Sequence, residues 1–196
     1  MTSTTTGDEQ APLALAELRP PAEVRYADEL AVLAQADARR GADVPPGWRL
    51  SPRAVRAFVV GDRELGVSRK FFGDDPLVDR AVVSLLGRQG LMLVGEPGTA
   101  KSLLSELLAA AASGTSTLTV QGTAGTSEDH VRYSWNYALL IAEGPSERSL
   151  VPSPVYRAME SGRVARFEEI TRCAPEIPAP LGSGLSETPL PGPALG

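Results

Sequence analysis

Four apolar residues bounded by glycines, Leu91-Met92-Leu93-Val94, run directly into the loop Gly95-Glu96-Pro97-Gly98-Thr99-Ala100-Lys101-Ser102. The loop runs directly into a leucine- and alanine-rich stretch ending at Ala112. A short, fully apolar run of this kind reads as a strand buried on both faces of a parallel sheet. The stretch from Lys101 to Ala112 reads as a helix, since leucine and alanine are among the strongest helix formers. No other segment constrains the fold as tightly.

The loop follows the pattern G-x-x-x-x-G-K-[ST], with Ala100 in place of the last glycine. Its physical requirement is a main chain whose N–H groups curl inward on an anion. The next helix adds its own free N–H groups and the positive end of its dipole. Gly95 and Gly98 supply the backbone freedom, and Ala100 fits if its φ is negative. Lys101 would then reach the β and γ phosphates of a nucleotide, and Ser102 would put its hydroxyl on Mg²⁺. The bland reading is a glycine-rich turn with no ligand; a strand before it and a helix after it weigh against that. Lysine is also rare here, with Lys70 and Lys101 the only two against 17 arginines.

A second strand is expected at Thr117–Val120 and a third at Arg163–Glu168, the latter ending in the pair Glu168-Glu169. In ATPases with this loop, an acidic residue at the end of a later strand holds Mg²⁺. A neighbouring acid can orient or deprotonate the attacking water. Glu168 stands where aspartate is usual, and Arg166 interrupts a strand that should be apolar. Alone, such a pair reads as solvated surface; with the loop, the functional reading is preferred.

The order strand–loop–helix–strand–helix–strand implies an α/β fold, a parallel sheet flanked by helices. Upstream, Pro20-Pro21 opens a helix to Arg40, with Ala27, Leu30, Ala31 and Ala34 on one face. Ser51-Pro52 and Asp75-Pro76 open two more, the second stopping near Gly87 to Gly90. A helix is expected around Asp129 to Ala142 inside a long insertion, and another from Ser153-Pro154 to Gly162. The chain then divides into a disordered tail (1–20), a helical segment (21–70), a nucleotide-binding core (71–177) and a Pro/Gly-rich tail (178–196).

A net charge of −5 argues against a general nucleic-acid binder, which needs basic surface to displace counterions. No apolar run approaches the roughly 18 residues of a membrane helix. The lone Cys173 excludes an internal disulfide and fits a reducing cytoplasm.

Loop and acidic strand together resemble the AAA+ ATPases, and among them the MoxR type. The loop form with alanine before Lys101, the lead-in Phe72-Gly73-Asp74, and Phe167-Glu168-Glu169-Ile170-Thr171-Arg172-Cys173-Ala174-Pro175-Glu176 carry the likeness. The resemblance implies a P-loop NTPase-like fold, ATP hydrolysis with Mg²⁺, homo-oligomeric rings and chaperone-like remodelling of a protein client. It implies that Gly95 to Ser102 hold ATP, that Ser102 and Glu168 hold Mg²⁺, and that Lys101 and Glu169 are catalytic. It also implies two further strands, one lying between the loop strand and the acidic strand, a sensor residue, an arginine finger and a helical lid. This chain ends soon after the acidic strand, so the core is expected to be incomplete at its C-terminus.

A nucleotide-binding fragment or pseudo-ATPase without turnover is therefore the alternative. A GTPase is disfavoured because the single asparagine, Asn136, cannot form an Asn-Lys-x-Asp guanine reader. His130 reads as a solvated or capping residue, Cys173 as a small packing residue, and Tyr133, Trp135 and Tyr137 as packing within the insertion. Arg132, Arg148 and Arg157 read as surface charge. Lys101→Ala is expected to abolish nucleotide binding in an equilibrium titration; retained micromolar binding would remove the loop assignment.

Overall fold

The computed structural model describes residues 19–87, 90–127 and 131–173. All but residues 19 and 20 of the tail expected at 1–20, the whole tail expected at 178–196, and His130 lie outside the described residues.

The first expected helix forms in two pieces, α1 (Ala22–Arg25) and α2 (Ala27–Arg40). Tyr26 separates them at φ −119° and ψ 30°, outside helical space. Gly41 ends α2 at φ 59°, a left-handed C-cap whose N–H meets the Ala38 and Asp37 carbonyls. The buried face of α2 is Leu30, Leu33, Ala36 and Asp37, rotated from the alanine-led face read in the sequence. Leu33 has more apolar surface to hide than Ala27 or Ala31 and decides the rotation.

Helix α3 (Pro52–Val60) starts where Ser51-Pro52 predicts, and the Ser51 hydroxyl accepts from the Ala54 amide at 3.2 Å. That same hydroxyl donates to the buried carboxylate of Asp37, which also accepts from the Ser51 amide, both at 2.7 Å. A cap and a buried charge thus satisfy each other. Helix α4 (Asp75–Leu86) follows the second proline signal.

Helix α5 (Lys101–Ser113) is the centre of the core. Leu104 and all six residues from Leu107 to Ala112 are buried, so the C-terminal half of α5 is covered on every side. Helices α1 and α3 pack on it, and α4 packs on α3. Polar contacts fix α1 in place: Arg25 donates to Glu106 at 3.0 Å. Glu23 accepts from the Ser116 amide at 3.0 Å and the Ser116 hydroxyl at 2.7 Å.

Strands β1 (Thr119–Gln121) and β4 (Arg166–Glu168) form a parallel pair, with Val120 opposite Phe167 and Gln121 opposite Glu168. The expected α/β architecture with a parallel sheet and flanking helices is present. Between these strands, β2 (Tyr133–Trp135) and β3 (Leu150–Pro152) make an antiparallel pair. Helix α6 (Tyr137–Glu143) lies between β2 and β3, and α7 (Pro154–Ser161) packs on β1. The helix read from about Asp129 is thus corrected: Tyr133–Trp135 is a strand, as its aromatics favour. Their rings pack edge-to-face at 5.9 Å, and Asn136 caps a shorter helix behind them.

A second correction concerns Leu91–Val94. Among the described residues no strand pairs with it. Leu91 and Leu93 pack against the core, while Met92 and Val94 are 69% and 86% exposed. The alternation has the period of a strand, but a ladder needs a neighbour, and β1 and β4 pair with each other instead.

Ser51→Ala removes the α3 cap, at about 1 kcal/mol, and leaves Asp37 short of a partner, at about 1–3 kcal/mol. Denaturant unfolding should show a loss of about 2 kcal/mol or more; an unchanged midpoint would contradict the pairing.

Candidate functional site

The loop from Gly95 to Ala100 is exposed throughout. Pro97 and Gly98 occupy the two central turn positions, Gly98 at φ 83°, the combination a type II turn requires. The Thr99 hydroxyl closes this turn by donating to the Glu96 carbonyl at 2.8 Å. Lys101 folds back over the loop, its Nζ donating to the Gly95 and Glu96 carbonyls, each at 2.7 Å. No side chain caps the start of α5, so its first amides are left for another acceptor.

Ala100 departs from expectation. Its φ is 58° with ψ 28°, the left-handed region, where the sequence reading expects a negative φ. The loop's path sets this angle, because the chain must reverse between Thr99 and the first turn of α5. A glycine would take it without strain, which is why the usual pattern has glycine here.

Ser102 and Glu168, 66 residues apart in sequence, meet: the Ser102 hydroxyl donates to Glu168 Oε2 at 2.6 Å. The other carboxylate oxygen, Oε1, accepts from the Ser105 hydroxyl at 2.9 Å and from Arg166 at 2.7 Å. The first turn of α5 and the end of β4 are therefore joined at one carboxylate. Burial raises the pKa of Glu168, but the hydrogen bonds from Ser102, Ser105 and Arg166 and the Arg166 charge outweigh it and hold the group below its usual 4.5.

Glu169 lies outside this cluster. At φ 56° it leaves the strand direction, and its carboxylate pairs with Arg172 Nε at 3.1 Å. Left-handed non-glycine residues cost of order 1–3 kcal/mol and gather at functional sites. Ala100 and Glu169 are the two among the described residues, one on each side of the site.

Three contributors are not apparent from the motifs alone. Ser105 lies one helical turn after Ser102 and could have been found by that spacing. Arg166 lies two residues before Glu168 on the same strand face. Gly122 donates its amide to the Glu168 carbonyl at 2.8 Å. A Cβ there would come within 2.6 Å of the Glu169 carbonyl oxygen, so only glycine allows this approach. Among the described residues no group of three or more His, Cys, Asp or Glu side chains converges.

The chain belongs to the AAA domain family, dynein-related subfamily, whose model matches residues 90–195, more than half of its length. These are nucleotide-binding ATPase domains of the AAA+ class, which generally use ATP with Mg²⁺. A curated relative is the uncharacterized protein YehL of Escherichia coli (strain K12), 55% identical over 177 residues. The aligned region covers 90% of this chain and 48% of YehL, so the chain spans about half the length of that relative. No solved structure matches.

Two outcomes are expected. Ala100→Gly relieves about 1–2 kcal/mol of left-handed strain against about 0.5–1 kcal/mol of added chain entropy. A small rise in denaturation midpoint should result, and a fall would contradict the strain. Because the pKa of Glu168 is lowered on folding, its stabilisation is present above pH 4.5 and is lost as pH falls through the folded-state value. Glu168→Gln should therefore unfold with a shallower pH dependence below 4.5 than the wild type; parallel curves would show that the carboxylate is not held ionised.

Proposed function

We propose that the chain binds MgATP at the loop and hydrolyses it as part of a MoxR-type AAA+ ATPase that remodels a protein client. The observation that carries this reading is the 2.6 Å contact between Ser102 Oγ and Glu168 Oε2. Two oxygen donors converge beside the open amides at the start of α5. That is the donor chemistry of Mg²⁺, which takes one or two protein oxygens and completes its shell with phosphates and water. When bound, Mg²⁺ would neutralise charge developing on the β and γ phosphates.

In this reading Gly95, Glu96, Pro97, Gly98, Thr99, Ala100, Lys101 and Ser102 hold the phosphates. Lys101 exchanges the Gly95 and Glu96 carbonyls for phosphate oxygens. Ser102 and Glu168 hold the cation, and Glu169 orients the attacking water once released from Arg172. Residues 71–177 form the nucleotide-binding core, and 21–70 form a helical buttress on α5. The protein works as a homo-oligomeric ring in the cytoplasm. No helix among the described residues is long and apolar enough to cross a membrane.

A second reading keeps the binding and drops the turnover. The Glu169–Arg172 pair favours it, since it engages the carboxylate that the first reading needs as a base. ADP release separates the two: Glu169→Gln should bind ATP as the wild type does and lose turnover by at least about 100-fold, the scale of general-base catalysis. Equal rates in both proteins would remove Glu169 from the mechanism.

A further inference from the structure

Arg166 sits where the strand should be apolar, yet its side chain is only 12% exposed and makes four polar contacts. Its Nε donates to the Ser105 hydroxyl at 3.2 Å. One terminal nitrogen, Nη1, donates to the Ser116 carbonyl at 2.9 Å. The other, Nη2, donates to the Ser102 carbonyl at 3.2 Å and to Glu168 Oε1 at 2.7 Å. A planar guanidinium carries its donors in a fixed fork, so partners on α5, the turn before β1 and β4 are locked to one geometry.

Two departures from the usual pattern meet here. Glutamate is one methylene longer than aspartate and has one more rotatable bond. Unrestrained, it would lose more conformational freedom on gripping a ligand. Residues two apart on a strand project from the same face, so Arg166 and Glu168 both reach toward α5. Arg166 and Ser105 together occupy Oε1 and leave Oε2 directed at Ser102. The longer acid and the buried arginine compensate for each other.

We propose that Arg166 is a positioning residue that orients Glu168 to offer a single oxygen, Oε2, to the cation shared with Ser102. This rests on the MgATP reading above and deepens it. Arg166 touches neither nucleotide nor metal; it acts through Glu168. Its positive charge also competes with any cation for that carboxylate, so positioning and charge competition act in opposite directions. If Arg166 mainly competes, its removal tightens Mg²⁺ binding; if it mainly positions, its removal weakens Mg²⁺ binding.

The test is a Mg²⁺ titration of nucleotide affinity for the full chain carrying Arg166→Met, Arg166→Lys, Glu168→Gln, and Arg166→Met with Glu168→Gln. In Arg166→Met, affinity without Mg²⁺ should fall by less than affinity with it, and circular dichroism reports whether the fold is intact. The Mg²⁺ concentration for half of the affinity gain should rise about ten-fold, the order of one charge-assisted hydrogen bond. Arg166→Lys should restore part of it, and Arg166→Met should add nothing in the Glu168→Gln background. A leftward shift in Mg²⁺ requirement, an equal loss with and without Mg²⁺, or additive effects of the two substitutions would overturn the proposal. Absence of nucleotide binding by the wild type would overturn the MgATP reading itself, and this inference with it.

Discussion

A single carboxylate ties the two halves of the site together. Glu168 at the end of β4 accepts from Ser102 on the first turn of α5, from Ser105 one turn further along, and from Arg166 on its own strand. Without that junction, the loop helix and the acidic strand are separate elements far apart in sequence. With it, the start of α5, which no side chain caps, lies a hydrogen bond away from the Glu168 carboxylate. The geometry depends in turn on α5, which Leu104, Leu107, Leu108 and Ala109 to Ala112 anchor in the core.

The helices before the loop support this arrangement from behind. Helices α1 and α3 cover α5, and Glu23 on α1 accepts from Thr115 and Ser116 in the turn before β1. Ser116 lends its carbonyl to Arg166, so the same short turn receives α1 on one side and the site on the other. Backbone strain sits at the site itself. Ala100 and Glu169 hold left-handed angles at the two chain reversals that aim the loop and the acidic pair.

Much of this is legible in the sequence. Ser51-Pro52 and Ser153-Pro154 each open a helix, because a cap followed by proline is a local signal that packing seldom overrides. At Asp75-Pro76 the helix starts one residue earlier than that signal implies, with Asp75 its first residue and Asp74 at the cap position making no side-chain cap bond. The long leucine–alanine helix and the strand that ends in Glu168 are readable too. What the sequence hides depends on partners. Leu91–Val94 has the composition of a buried strand, yet a strand is defined by its neighbour, and none of the described residues provides one. The face of α2 turns on Leu33 and on a buried Asp37, whose burial requires a specific partner, Ser51, that periodicity cannot see. In the site, the resemblance already pairs Ser102 with Glu168, and the two side chains are in contact, but their further partners Ser105 and Arg166 emerge only from the fold. Arg166 reads as a defect in a strand because most of its partners lie on other elements.

If Ser102 and Glu168 act as one cation site beside the phosphate loop, the two residues must be coupled in Mg²⁺-dependent binding. Calorimetric titration of ATP, with and without Mg²⁺, into the wild type, Ser102→Ala, Glu168→Gln and the double variant measures that coupling. Mg²⁺ should tighten ATP binding in the wild type, either substitution should remove this gain, and the double variant should lose no more than either alone. Binding that ignores Mg²⁺, or losses that simply add, would contradict a shared cation site.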